Sequence, residues 1–146
     1  MYFWSNLNDL DLGKASLSLN QLDDRFKNLN KIQNVFLNCF LSNEKTDALF
    51  FELTSNQETD FSRYYYFYAK YLVSIEDKNK AKKILEGSIK KYPRNLLLNQ
   101  YKIDLKNSEN NFDFDCKKNE HVIAEILYIT ANALSTQSIY PLSNFY

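Results

Sequence analysis

Glycine and proline are nearly absent from this chain: Gly13, Gly87, Pro93 and Pro141 are all it has in 146 residues. Tight turns are usually built on these two, glycine for its access to positive φ and proline for its fixed φ. An all-β fold of this length would need many such turns. The scarcity therefore selects long helices joined by short polar connections. With 45% hydrophobic residues, the chain is too apolar for a disordered tail and long enough to bury a core.

Apolar periodicity places the helices. Spacings of three and four are clearest over 61–74, 80–92 and 120–134. In the second of these, Ala81, Ile84, Leu85, Ser88 and Ile89 share a face, with lysines opposite. In the third, Ile123, Ile126, Leu127, Thr130, Ala131 and Leu134 do so. Further helices are predicted over 13–28, 29–41, 45–54 and 96–106, and a loop over 107–119. The aromatic run from Tyr64 to Tyr68 has high β propensity, but it continues in helical phase through Ala69 and Leu72.

Charge and chemistry-bearing residues exclude more than they assign. Basic and acidic residues balance at 18 each, and the longest basic runs are pairs such as Lys82-Lys83, read as solvated helix faces. Nucleic-acid binders usually carry a basic excess, so no nucleic-acid partner is expected. No apolar run reaches membrane-spanning length, and the start does not read as a secretory signal, which leaves the cytoplasm as the default expectation. Cys39 and Cys116 form no C-x-x-C pair and read as a buried thiol and a loop thiol. Asp113, Asp115, Cys116, Glu120 and His121 match no zinc or calcium spacing. No phosphate-cradling glycine loop or nucleophile elbow exists. No cofactor, metal or catalytic residue is assigned. The apolar ends, with Tyr2, Phe3, Trp4, Phe145 and Tyr146, suggest a piece of a longer chain.

One segment, 62–95, resembles the tetratricopeptide repeat, a helix–turn–helix unit of about 34 residues. Counting Ser62 as the first position, Tyr65, Tyr68, Ala69 and Leu72 take the key places of the first helix. Ala81, Leu85 and Ser88 take those of the second, and Pro93 lands where the family has proline. Small Ala69 and Ala81 let the paired helices approach, and Ser88 lets the next helix dock. Asp77 or Asn79 can cap the second helix. Ala15, Ala48 and Ala81 recur 33 residues apart. The segment 121–146 is similar to stretches in bacterial tetratricopeptide proteins and reads as a truncated repeat.

The resemblance implies an all-α fold: a single domain over 1–146, an α-solenoid of antiparallel helical hairpins. It implies a non-catalytic scaffold that binds a protein or peptide on its concave face. The residues it places there are Arg63, Tyr66, Lys70 and Val73, with Asn30 and Gln33, with Gln100 and Asp104, and with Tyr128 and Asn132. The first three share one helical stripe that should pack against nothing within the repeat. A Lys-Asn clamp for a C-terminal carboxylate is not reproduced, since Lys70 stands at position nine and not at position five. A helical accessory domain of an enzyme or regulator, with its active part elsewhere, is the alternative. It would form a closed bundle in place of stacked hairpins. The register itself is testable: Ala69→Leu or Ala81→Leu should overpack the helix contact and cost about 1–3 kcal/mol in thermal or urea unfolding. Unchanged unfolding in both would remove the register.

Overall fold

In a computed structural model, the described residues are 27–56, 61–107 and 114–136, and every regular element among them is an α-helix. Helix α1 spans Lys27–Phe40, α2 Thr46–Ser55, α3 Tyr64–Ser74, α4 Lys78–Lys91, α5 Leu96–Asn107 and α6 Asn119–Thr136. The helix expected over 13–28, with Ala15, lies largely outside the described residues. So do Asp113, both chain ends and the segment after 136. The aromatic run from Tyr64 to Tyr68 is helical. Its first turn is tightened by i→i+3 bonds from Tyr64, Tyr65 and Tyr66 to Phe61, Ser62 and Arg63, so the helix proper starts three residues later than the pattern suggests.

The turns explain how the chain manages without glycine. After α1, Ser42 adopts φ 53°, and after α3, Glu76 adopts φ 66°. Each closes its helix with the same pair of backbone bonds. Asn43 N–H donates to Asn38 and Ser42 N–H to Cys39; Asp77 N–H donates to Leu72 and Glu76 N–H to Val73. This is the Schellman arrangement, which satisfies the last carbonyls of the helix and usually employs glycine. Asp77 then caps α4 by accepting from the Lys80 amide at 3.0 Å. Asn95 caps α5 in the same way, accepting from Leu98 N–H at 3.2 Å, while its amide reaches Ser62 Oγ at 3.3 Å.

The described chain divides into two compact units. One comprises 37–115 and the other the segments up to 36 and from 116. In the 37–115 unit, α3 packs against α2, α4 and α5, and α4 packs against α5. The core of this unit is α3 itself: Tyr64, Tyr66, Phe67, Tyr68, Ala69 and Leu72 are all buried. Ala69 and Ala81 are completely buried, so neither helix has room for a larger side chain at these points. Leu85 and Ser88 of α4 are buried as well. In α2 the inward residues are Thr46, Phe50, Leu53 and Thr54, while Ala48 is exposed. The alanine series is therefore corrected at its middle member. Completely buried Thr46, and not Ala48, is the small inward residue, 35 residues before Ala81. Cys39 is also buried here, and it is disulfide-bonded, not a thiol.

In the other unit, the buried residues are Ile32, Gln33, Val35 and Phe36 of α1, Cys116, and Asn119, Val122, Glu125 and Ile126 of α6. Cys116, just before α6, is disulfide-bonded too, which corrects the expectation of a loop thiol.

One polar node ties three helices together. Tyr68 of α3 donates its hydroxyl to Asp47 Oδ1 of α2 at 2.8 Å. Lys80 of α4 reaches both oxygens of the same carboxylate, at 2.8 and 2.6 Å. The Tyr68 ring stacks on Phe50 at 5.4 Å. A second tyrosine works alongside: Tyr65 donates to the Thr54 carbonyl at 2.8 Å, meeting an orphan acceptor at the end of α2. Burial raises the Asp47 pKa, but hydrogen bonds from Lys80 and Tyr68 and the Lys80 charge outweigh it and hold the group below its ordinary 3.8. The resulting stability is present above pH 3.8 and is lost as pH falls through the depressed folded value. Asp47→Asn should cost about 1 kcal/mol near neutrality, because the node is partly solvated. It should also flatten the acid limb of the stability profile. Urea midpoints at neutral pH and at acid pH would show this; equal losses at both would detach Asp47 from the effect.

Candidate interaction surface

Seven residues separate Arg63 from Lys70, two turns of helix, so both stand on the side of α3 that meets α5. Each rests on an aromatic ring. The Arg63 guanidinium lies 5.5 Å from the centre of Phe67, and Lys70 Nζ lies 5.6 Å from the centre of Tyr101 on α5. Such cation–π contacts contribute about 0.5–1 kcal/mol at partly exposed sites, and they fix where the charge sits. Phe67 is in turn packed edge-on by Phe114 at 4.5 Å, so the chain beyond α5 returns over this helix.

Tyr66, between the two cations, does not face solvent. It is only 2% exposed and meets Tyr101 edge-to-face at 5.0 Å. The expectation that this stripe packs against nothing is corrected at its central residue. Helix α5 takes the tyrosine into the core, because its own buried Tyr101 packs edge-to-face against it. Burial raises the Tyr101 pKa, and the charge of Asp104 raises it further, so the phenol stays neutral.

The remaining expected residues divide. Gln100 is exposed and donates its side-chain amide to Asp104 Oδ1 at 2.7 Å, whereas Asp104 is buried at 6% exposure. Tyr128, 48% exposed, and Asn132, also exposed, stand on α6 in the other unit. Within the 37–115 unit, Arg63 and Lys70 are thus half-buried, Gln100 is exposed, and Tyr66 and Tyr101 form a buried pair.

A second feature was not assigned from the sequence. Between α4 and α5 lies a groove of about 310 Å³. Lys78 and Lys82 of α4 and Lys102 and Lys106 of α5 stand around a floor of Leu85 and Leu105. Val73 also lines it, and Glu86 is the single acidic residue in the lining. The signal available in sequence was the i, i+4 repetition of lysine on two consecutive helices. It was submerged in the expectation that lysine faces are simply solvated.

Among the described residues no group of three or more His, Cys, Asp or Glu side chains could hold a metal ion, and no helix is long and apolar enough to cross a membrane. No protein-family model, curated protein or solved structure matches the chain.

The placement of the stripe predicts a contrast. Tyr66→Ala empties a buried aromatic site and should cost about 3–5 kcal/mol. Lys70→Ala, on the surface, should cost no more than about 1 kcal/mol. Denaturant unfolding of the two variants measures the difference; similar values would return Tyr66 to the surface.

Proposed function

We propose that this chain is a segment of an α-solenoid of tetratricopeptide type and serves as a non-catalytic scaffold for a protein or peptide partner. The observation that supports this most directly is the pattern of packing around α3. The helix packs on the next one, α4, and also on the one after, α5. Stacked hairpins have this connectivity, since the first helix of a unit touches its own partner and the first helix of the following unit. The side chains agree: Ala69, Ala81 and Ser88, the small residues that such a contact requires, are all buried.

In this reading, the partner lies along Arg63, Lys70 and Gln100 of the 37–115 unit. Tyr66 has a different role: it supports the face from beneath by holding Tyr101, and so positions the ring under Lys70. Two cations held on rings, seven residues apart, suit an acidic or amphipathic peptide better than a basic one.

The test is the triple variant Arg63→Ala, Lys70→Ala, Gln100→Ala, which leaves Tyr66 in place. Helicity by circular dichroism should stay unchanged. Affinity for a partner recovered with the wild-type chain should fall by about tenfold, as expected for losing several rim contacts. Full affinity in a folded variant would remove this face from the interaction.

A further inference from the structure

We propose that the groove between α4 and α5 is a second docking site, whose occupant is an acidic, amphipathic helical segment of a partner protein. This extends the scaffold reading to another surface and does not depend on the repeat register.

The charges carry the inference. Lys78 and Lys82 lie one turn apart on α4, and Lys102 and Lys106 lie one turn apart on α5, around the same cavity. Like charges at i, i+4 destabilise their helix, and here two such pairs share one groove. None of the four lysines makes an ion pair or side-chain hydrogen bond among the described residues. Glu86 alone opposes them in the lining, although the whole chain is neutral, with 18 charges of each sign. Lys78 also opens α4, the end of a helix where an anion is favoured and a cation is not. The protein thus concentrates uncompensated positive charge at one place, at some expense to its own stability. An anionic partner removes that expense.

The floor narrows the choice of partner. Val73, Leu85 and Leu105 make it apolar, and the lysine stems extend the apolar wall towards their charged ends. The volume lies near the lower end of ligand sites, which run from about 300 to 1,000 Å³, and it takes a few aliphatic side chains. A nucleic acid would want aromatic rings for stacking, and the lining has none. A free small anion would find only solvated ammonium groups and would leave the apolar floor unused. A helix with leucine-like anchors at i, i+3, i+4 and i+7, flanked by carboxylates, satisfies floor and rim together.

The experiment uses the full chain and a fluorescein-labelled synthetic helix with leucines at those spacings and glutamates elsewhere. Fluorescence anisotropy should show binding that weakens with salt, and NMR should show shifts at the Leu85 and Leu105 methyls. The double variant Lys82→Glu, Lys106→Glu should lose about tenfold in affinity. Lys82→Gln, Lys106→Gln should lose less while leaving the fold intact by circular dichroism. In the Arg63→Ala, Lys70→Ala background, charge reversal at Lys82 and Lys106 should still lower the affinity about tenfold and the Leu85 and Leu105 shifts should persist, which separates this site from the α3 face. The proposal is overturned if the peptide does not bind or if charge reversal leaves its affinity unchanged. Equal binding by a Leu→Ser version of the peptide, by oligo(dT) or by phosphatidylserine vesicles would also overturn it. Those results would show a general polyanion, nucleic-acid or membrane surface.

Discussion

Helix α3 buries most of its side chains. Tyr64, Tyr66, Phe67, Tyr68, Ala69 and Leu72 are buried, α3 packs against α2, α4 and α5, and the arrangement of the 37–115 unit follows from that enclosure. Surrounding a helix on three sides requires each neighbour to come close somewhere. Ala69 provides that closeness, and the aromatic residues beside it fill the wider gaps. Aromatic packing alone would leave the neighbours free to slide. The hydroxyls of Tyr65 and Tyr68 prevent this by bonding to fixed acceptors on α2. Lys80 adds the third helix by closing on the same carboxylate from α4. Burial supplies most of the energy, and these few polar contacts set the alignment.

Much of the helical layout is legible in the residues. Periodicity places α1 to α6 to within a few residues, because each has one apolar face and a polar break on either side. The pattern Ala69, Leu72, Ala81, Leu85, Ser88 also marks inward positions that the structure buries. What the sequence hides is which small residue does a given job. Ala48 looks like the equal of Ala81, yet Thr46 is turned inward. Thr46 can be buried because its hydroxyl donates to the Asn43 carbonyl, so it carries no unpaired polar group with it. A search for small apolar residues passes over it.

The candidate surface is legible only in part, and for a related reason. Arg63 and Lys70 are where helical spacing puts them. Tyr66 shares their stripe but is buried, because a residue's exposure depends on the next helix as much as on its own. No single-helix pattern contains Tyr101. The lysine groove shows the converse. Lys82 or Lys106 alone is an ordinary solvated residue, and only the packing of α4 against α5 makes four of them face a common cavity.

The closures at Ser42 and Glu76 have one more consequence. Both residues are exposed, and the bonds that end their helices run entirely through main-chain amides and carbonyls. A left-handed conformation costs a non-glycine residue on the order of 1–2 kcal/mol, a cost set against two backbone hydrogen bonds and the packing of the following helix. No particular side chain is demanded at either bend. Any residue that tolerates the left-handed region can therefore replace them while the change of direction persists, which leaves out proline and disfavours β-branched residues. The bends would outlast the residue signatures by which kinship between helical proteins is usually traced.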